Sequence, residues 1–460
     1  MTQRGQQLLD EINLAFPVDR RHILERLATA ARRSGLRIAL VGGLPREALR
    51  CLGGQRPREN LYDELRDIDV VVEGDAIHFA RELYRNLPGE LVVNEAFGTA
   101  TLATEGIAID LTSSRRESYS APGQLPEVDT GGVRIEEDLL RRDFSVNAVA
   151  VELSPDQGVL LDPLGGEADL RARQVRILHS ASFHDDPTRL FRALRYSIRL
   201  NAELEPASMA AFHRAIEEDM LATLSPERVR YELECICREE RWHEIWAVMD
   251  LAQILPGLHE ALGGISSWWT LEQGSSLDIV LRNQREVLDS TELEPWLVRL
   301  AWATLSMRDI WFEAAMNRIG IFPRHIRSMQ TARHLLISVP ERLSSEMQPS
   351  AIVDVLEHFP RGSVALAMLI HMPVDDRGVS TRRAMLNYLL DYSQVRPELS
   401  GHELIRLGIP AGPAVGECHR RLRALRLDGH IVSVEDERNI VMRMVNLGES
   451  SADQATTDGD

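Results

Sequence analysis

Two short stretches decide the fold class of this chain: IALVGGLPRE at residues 38–47 and DIDVVV at residues 67–72. The first predicts a buried strand that ends on Gly42 and Gly43 and leads directly into a helix. The second predicts another buried strand, because branched aliphatic residues follow one another without a break. Two strands joined by a helix favour a small mixed α/β unit.

The predicted elements change along the 460 residues. Short strands are predicted at 91–93, 99–103 and 107–111, followed by a loop over 112–132. After about Asp162 the strands end, and helical periodicity continues to about residue 447. The fold class is therefore predicted to be α+β, with a small mixed-sheet head followed by an all-helical part.

Composition and breaks in the periodicity suggest six regions. They are a helical lead-in at 1–36, a head at 37–165, a helical neck at 166–240, a helical body at 241–395, a helical tail at 396–447 and a disordered acidic tail at 448–460.

The chain contains no lysine, so all 52 basic residues are arginine, and 70 acidic residues bring the net charge to −18. The absence of lysine excludes a Walker A loop and also excludes Schiff-base or pyridoxal chemistry. Phosphate contacts therefore fall to arginine, whose planar guanidinium suits them. The acidic balance argues against broad non-specific binding to nucleic acid, but it does not exclude a local basic groove.

The cysteines and the hydropathy indicate the compartment. Four scattered cysteines match no zinc pattern and no disulfide framework, which favours reduced thiols in a cytoplasmic protein. No apolar run reaches the roughly 18 residues that a membrane-spanning helix needs, and residues 1–16 lack the apolar core of a signal peptide. We expect no membrane partner, and no partner protein is implied.

Asp67 and Asp69 form a candidate metal site. Residues i and i+2 of a strand point to one face, and two carboxylates held this close repel each other unless a cation lies between them. Oxygen ligands suit Mg²⁺. The alternative is a pair of solvated acids at a sheet edge. Asp110, on the next predicted strand, is either a third catalytic carboxylate or a surface acid.

The glycine turn is a candidate phosphate site. Backbone N–H groups at Gly42 and Gly43, with the positive end of the following helix, would face a phosphate. Arg46 in the first helical turn could reach it. The alternative is an ordinary strand-to-helix turn.

Residues 171–199 hold seven arginines and two acids, against the acidic trend of the chain, and this favours an anionic ligand. Pro187 is the predicted first residue of a helix, with Asp186 as its N-cap. A capped amphipathic helix with a solvated polar face is the alternative. The polar row at i,i+3 spacing consists of Asp186, Arg189, Arg192 and Arg195.

Taken in order, these blocks resemble the class II tRNA nucleotidyltransferase and bacterial poly(A) polymerase family, which has a polymerase-β-type head. The resemblance also rests on RRDFSVNA at 141–148, DPLGG at 162–166, DDPTRLFRALR at 185–195, and Glu227-Arg228 with Glu232. Residues 115–123 are similar to the family's flexible loop, and residues 400–430 are more weakly similar to its tail. Glu47 stands where the family usually has aspartate. No second His-Asp set is present, so the extra phosphohydrolase domain of some relatives is not expected.

The resemblance implies template-independent transfer of nucleotides from CTP or ATP to the 3′ end of tRNA, namely CCA addition or repair, by a two-metal mechanism. It implies that Asp186 and Arg189 read the base edge of the incoming nucleotide. That role weakens if Asp186 is consumed in capping its helix. The remaining nucleotide-binding residues that it implies are Arg142, Asp143, Asn147, Arg192 and Arg195.

A last arginine cluster lies at residues 418–426, where Leu422 and Leu425 would face inward. By resemblance this cluster would hold the tRNA through backbone phosphates. A plain surface helix is the alternative. The predicted RNA-binding residues are Arg420, Arg421, Arg423 and Arg426.

Three other functions are open. The chain could add only A, only CC or a poly(A) tail, since specialised members of the family share most of these blocks. It could be an inactive RNA-binding module, although the retention of Asp67 and Asp69 argues against that. It could be a phosphohydrolase built on His184 and Asp185, for which the sequence offers no convincing further ligands.

Overall fold

The structure, a computed structural model, describes residues 3–16, 21–57, 67–268, 270–339, 342–373 and 375–455. The chain divides into two compact units, residues 1–263 and 264–460. The α+β prediction is confirmed, because all described strands fall in the first unit. These strands are β1 (Arg37–Val41), β2 (Asp67–Glu73), β3 (Glu90–Asn94), β4 (Thr99–Thr104), β5 (Ile107–Ser113), β6 (Arg116–Ser118), β7 (Glu127–Asp129), β8 (Ala150–Ser154), β9 (Leu160–Leu161), β10 (Gln174–Val175) and β11 (Glu203–Leu204).

The helices of the first unit are α1 (Gln3–Ala15), α2 (His22–Ser34), α3 (Gly43–Leu52), α4 (Ala76–Tyr84), α5 (Ile135–Leu139), α6 (Gly166–Ala172), α7 (Ser182–Asp185), α8 (Thr188–Leu200), α9 (Pro206–Glu217), α10 (Pro226–Arg238), α11 (Trp242–Leu251) and α12 (Ile254–Leu258). Those of the second unit are α13 (Leu271–Asn283), α14 (Arg285–Thr291), α15 (Pro295–Ala303), α16 (Asp309–Arg318), α17 (Pro323–Ser338), α18 (Pro349–Leu356), α19 (Arg361–Ile370), α20 (Asp376–Leu390), α21 (Gly401–Arg406), α22 (Pro413–Leu427) and α23 (Val434–Ala455). None of the described helices is both long and apolar enough to cross a membrane.

Seven strands form one mixed sheet in the order β3-β4-β5-β2-β1-β8-β9. The stretches at residues 38–47 and 67–72 contribute β1 and β2, which pair antiparallel near the middle of this sheet. β2 also pairs with β5, in parallel. An apolar cluster that includes Ala39, Val71 and Ile135 packs α5 against β1 and β2. This packing fixes the strand ends that carry the candidate site residues.

Three sequence predictions are wrong in part. Strands do not end at about Asp162, because β10 and β11 form a short parallel pair. The predicted loop at 112–132 contains the end of β5 and the antiparallel pair β6–β7. Strands of two or three residues carry too little periodicity to be recognised. The predicted disordered tail is helical as far as Ala455, and residues 456–460 lie outside the described part.

Candidate active site

The glycine turn brings the backbone close to a carboxylate. Gly42 has φ +73°, and a Cβ built on it would lie 2.8 Å from Asp69 Oδ2. Glycine therefore satisfies both the left-handed backbone and the close approach. α3 begins at the next residue, and Gly42, Gly43 and Asp69 line the same cavity.

Three carboxylates share one face of the sheet. Asp67 and Asp69 are exposed on β2, whereas Ile68 between them is buried, as the i,i+2 spacing predicts. Asp110 on β5 is the register partner of Asp69 and so points to the same face. Thr101 Oγ1 donates a hydrogen bond of 2.5 Å to Asp110 Oδ1. Asp110 is therefore no isolated surface acid, and its part in catalysis stays a prediction.

The charge state of Asp69 reflects this crowding. Its side chain reaches solvent through the cleft, but protein atoms surround most of it, and this desolvation is the main reason why its pKa is raised to about 6. Arg142 opposes the shift, while Asp110 and Asp67 reinforce it. A cation beside these carboxylates would favour the ionised form.

The donor set fits Mg²⁺ in part. This ion is usually held by one or two carboxylates and completes its coordination with water and substrate phosphate oxygens. Among the described residues, no three His, Cys, Asp or Glu side chains are grouped closely enough to hold a metal ion. Asp67 and Asp69 are therefore suited to hold Mg²⁺ only together with a substrate.

A cavity of about 570 Å³ opens beside Asp69, within the range of small-molecule sites. Six arginines, six acids and three tyrosines are among the residues that line it. The fold thereby brings together three segments that are far apart in the chain. The predicted site residues found in the lining are Gly42, Gly43, Arg46, Asp69, Arg142, Asp143, Asn147, Asp186, Arg189 and Arg192.

A buried hydrogen-bond network joins these segments. Arg46 Nη1 donates to Asn147 Oδ1 at 2.5 Å, and Asn147 Nδ2 donates to Asp143 Oδ1 at 2.9 Å. Arg192 donates to Asp143 Oδ2 from Nε at 2.8 Å and from Nη2 at 2.5 Å. Burial alone would raise the pKa of Asp143, but Arg192 and Asn147 outweigh it and lower the pKa to about 2. Asp143 is therefore ionised and fixes Arg192.

Glu47 anchors the network outside the cavity lining. It is fully buried, and its Oε1 accepts a bond of 2.9 Å from Arg46 Nε. Its Oε2 accepts bonds of 2.7 Å from Arg50 and 2.6 Å from Arg56. Burial would raise the pKa of Glu47, but the three arginines lower it to about 2. Glu47, although one methylene longer than the aspartate usual in the family, is therefore ionised and holds the buried Arg46.

Asp186 is partly used in holding its own helix. Its Oδ1 accepts bonds from the Thr188 N–H at 3.0 Å, the Thr188 hydroxyl at 2.6 Å and Arg228 Nη2 at 2.6 Å. The helix begins one residue later than predicted, at Thr188, with Pro187 in the N-cap position. Asp186 Oδ2 accepts no bond from the described residues. The base-reading hypothesis therefore depends on this second oxygen.

Arg189 is fixed in the cavity wall. Its Nη1 donates to Ser182 Oγ at 2.6 Å and its Nη2 donates to the Arg141 carbonyl at 3.0 Å. Only 5% of the residue is exposed. Its guanidinium is therefore held in a set position before any base arrives.

The position of Arg195 differs from the expectation. It is absent from the cavity lining, and its Nη1 lies 3.4 Å from Glu232 Oε2. Each i+3 step along a helix falls about 60° short of a full turn, so the arginine row moves around the helix. The guanidinium carbon of Arg195 lies 5.3 Å from the ring centre of Tyr196. Direct contact of Arg195 with ribose or phosphate is not supported by this geometry.

Arg142 differs from the other arginines of the cavity. Its Nη2 donates to Asp138 Oδ2 at 3.3 Å, while its buried Nε has no partner among the described residues. A buried unsatisfied donor is costly. Its position in the cavity lining makes Arg142 a strong candidate for holding an anionic ligand.

Several cavity residues were not among the predicted site residues. Arg228 joins Asp186 to the flexible-loop segment, because its Nη1 donates to the Gly123 carbonyl at 2.7 Å. Tyr196 and Tyr231 also line the cavity. Tyr196 and Tyr231 could have been suspected only from their position beside arginines of the recognised blocks. Aromatic residues by themselves more often indicate a hydrophobic core.

The tail arginines fall into two pairs. Arg423 Nη1 lies 2.8 Å from Glu357 Oε2, and Arg426 Nη2 lies 2.8 Å from Glu437 Oε1. Arg420 and Arg421 are exposed, and Arg420 pairs with Glu417. RNA binding by these four arginines stays a prediction, but Arg423 and Arg426 are already paired with acids outside their helix.

His184 does not form a hydrolase centre. Its Nε2 lies 2.5 Å from Glu218 Oε2, and His179 Nε2 lies 3.7 Å from Asp185 Oδ2. These are separate pairs without a third ligand among the described residues. The phosphohydrolase alternative is therefore not supported.

Comparison with known proteins gives consistent matches. Residues 38–176 match the model of the poly(A) polymerase head domain. An A-adding tRNA nucleotidyltransferase from Halalkalibacterium halodurans is 31% identical over 447 residues, covering 95% of this chain and 96% of the relative. A CC-adding tRNA nucleotidyltransferase from Deinococcus radiodurans is 31% identical over 417 residues, covering 89% and 90%.

A solved structure is consistent with these sequence matches. The apo form II of a CCA-adding enzyme superposes with a TM-score of 0.71 at 25% identity, covering 96% of this chain and 99% of that chain.

Proposed function

Because the chain belongs to the class II tRNA nucleotidyltransferase and bacterial poly(A) polymerase family, we propose that it transfers nucleotides from CTP, ATP or both to the 3′ end of tRNA without a template. One observation supports this most strongly: Asp69 belongs both to the carboxylate face of the sheet and to the arginine-lined cavity. A triphosphate bound in the cavity would place its reacting phosphorus beside the carboxylates.

The residues of the cavity have distinct parts in this reaction. The tRNA 3′-hydroxyl attacks the α-phosphorus, the α–β phosphoanhydride bond breaks, and pyrophosphate leaves. Arg142 and the amino end of α3 bind the triphosphate, since both present N–H donors to it. Arg192, held by Asp143 in the cavity lining, would bind the phosphates or the ribose. The protein mainly positions groups and neutralises charge, as is usual in transfer of phosphoryl and nucleotidyl groups.

Nucleotidyltransferases of this family depend on metal ions, and we propose that Asp67 and Asp69 hold two Mg²⁺ ions, with Asp110 beside them. When bound, Mg²⁺ would lower the pKa of the attacking hydroxyl and neutralise charge on the triphosphate.

The base would be recognised by protein groups. Asp186 Oδ2 can accept from the exocyclic amine that cytosine and adenine both carry, and Arg189 can donate to a ring acceptor. Pairing of this kind would exclude uracil and guanine, which present a carbonyl oxygen in that position. A cytoplasmic location is also proposed, since all four cysteines are free.

Two products are candidates. CCA addition is the main proposal, and addition of the terminal A alone is the second, since the relative from H. halodurans is an A-adding enzyme. The A-adding and CC-adding relatives are each 31% identical to this chain, so identity does not separate the products.

An extension assay tests these proposals. Transcripts that end before CCA and transcripts that end in CC are each incubated with Mg²⁺ and with CTP, ATP or both. CCA addition requires two C residues and then one A on the first transcript. A-addition alone would extend only the CC-ended transcript. Failure of every combination to release pyrophosphate, with tRNA binding retained, would establish the inactive RNA-binding module instead.

A further inference from the structure

Tyr231 is an exposed aromatic residue at a cavity whose other lining residues are mostly buried or partly buried. It lies on α10 and lines the cavity, yet 61% of it is exposed. Tyr196 lines the same cavity and is only 8% exposed. The cavity therefore has a buried aromatic wall and an aromatic residue at its solvent side.

The neighbours of Tyr231 connect it to the base site. Arg228 lies one helical turn earlier on α10, lines the same cavity and donates to Asp186 Oδ1 at 2.6 Å. Tyr231 and the proposed base-reading group Asp186 therefore line the same cavity, and Tyr231 is the more exposed of the two. The neighbouring Cys235 is the main cause of the raised pKa of the Tyr231 hydroxyl, and partial burial adds to it. The ring is therefore neutral at physiological pH.

We propose that Tyr231 is a stacking platform for the 3′-terminal base of the tRNA primer. This inference rests on the proposed function. Proteins bind unpaired RNA ends by stacking bases on aromatic side chains, and such stacking tolerates any base because every base has a π face. An enzyme that extends ends carrying different last bases needs this tolerance.

The exposure of the residues favours the primer over the incoming nucleotide. The groups proposed to read the incoming base include Arg189, which is 5% exposed and is fixed by two hydrogen bonds. The primer end must enter from solvent and come to rest beside that base. Tyr231 occupies the solvent side of the same cavity.

Kinetics of Tyr231→Ala test the proposal. Loss of one base–aromatic stack should raise the KM for tRNA by between about five- and 150-fold, while the KM for the nucleotide stays within about twofold. Tyr231→Trp should keep wild-type values, because indole also stacks. The matched control is Tyr84→Ala, since Tyr84 is 46% exposed in the same unit and is not in the cavity lining.

A primer with an abasic 3′-terminal nucleotide isolates the stack. With this primer, wild type and Tyr231→Ala should have the same KM for tRNA. An unchanged KM for the ordinary primer, or an equal penalty with the abasic primer, would overturn the proposal. A rise in the KM for the nucleotide alone would show that Tyr231 stacks on the incoming base and would also overturn it. Wild-type extension in the same series separates these outcomes from failure of the proposed function.

Discussion

The cavity beside Asp69 and helix α22 both carry a row of arginines in an acidic chain, but the two rows have different surroundings. In the cavity, Arg192 and Arg228 are held by Asp143 and Asp186, and these two acids line the same space as the arginines. On α22, Arg426 is held by Glu437, which is fully buried. In one unit the arginines and their acids line a cavity, whereas on α22 Arg423 and Arg426 pair with acids outside their helix.

The spacing of residues in the sequence does not reveal this difference. Glu357 and Glu398 lie 66 and 28 residues before Arg423 and Arg426, so local charge counts missed them. Substitutions whose effects on ligand binding and on stability can be measured separately therefore test whether the cavity and α22 arginines have different roles.

The largest effect is expected in the cavity. Asp69→Ala should lower nucleotide transfer by at least about 10³-fold, because metal stabilisation of the transition state amounts to several kcal/mol. Binding of tRNA, measured by filter retention, should change little. Glu73→Gln is the control, since Glu73 lies on the same strand and pairs with Arg37 at 3.2 Å. An Asp69→Ala enzyme with a tenth of wild-type activity would contradict the assignment.

In the tail the main effect should be on stability. Arg426→Met leaves the buried Glu437 without its arginine, which should cost about 3 kcal/mol of unfolding free energy. Urea denaturation measures the change. Arg420→Met should leave the midpoint unchanged, because the pair with Glu417 is exposed. Equal midpoints for the two variants would refute the packing role of Arg426.

Glu47→Gln should weaken nucleotide binding without abolishing turnover. An amide cannot accept from all three arginines, so Arg46 or its neighbours lose a charged hydrogen bond, and the KM for the nucleotide should rise about tenfold. Glu47→Asp should restore most of the affinity, since aspartate is usual in the family.

The matched control is Glu152→Gln, because Glu152 is buried and accepts two bonds from Arg37, which is absent from the cavity lining. If that variant raises the KM for the nucleotide equally, Glu47 has no special role in positioning Arg46.

The raised pKa of Asp69 predicts a pH dependence of stability. The folded protein binds this proton up to about pH 6, whereas an unfolded aspartate releases it near 3.8. The contribution of Asp69 to stability is therefore present below pH 3.8 and is lost as pH rises to about 6. Thermal melts of wild type and Asp69→Asn between pH 4 and 7 should diverge over this range. If the melting temperature changes with pH equally in wild type and Asp69→Asn, the Asp69 carboxylate is not desolvated.

The smallest effect is expected for the exposed tail arginines. Arg420→Met combined with Arg421→Met should leave stability unchanged and weaken tRNA binding a few-fold. The slope of log K against log salt should fall by about 0.7–0.9 for each phosphate that the variant no longer neutralises. The pair Arg282→Met and Arg285→Met, on α13 and α14, serves as a charge-matched control. If the salt slope of the double variant equals that of wild type, Arg420 and Arg421 do not contact RNA phosphates.

The parts that could be predicted from sequence are those determined by local pattern. The strand–glycine–helix stretch became β1 and α3, and the spacing of Asp67 and Asp69 placed both on one face, because neighbouring residues alone determine these features. β8 pairs with β1 from residues 150–154, more than 100 positions away, and only tertiary packing selects that partner. Arg195 lies outside the cavity lining because i+3 steps drift around a helix, so its contact with a nucleotide stays a prediction.

The network that runs from Glu47 through Arg46, Asn147 and Asp143 to Arg192 has a thermodynamic consequence. These side chains lose their rotamer freedom when the protein folds, so a nucleotide entering the cavity immobilises few of them. Each flexible side chain ordered on association would otherwise cost about 0.5–1.5 kcal/mol. Calorimetry should therefore record a smaller entropy loss for nucleotide binding to wild type than to a variant whose network is broken.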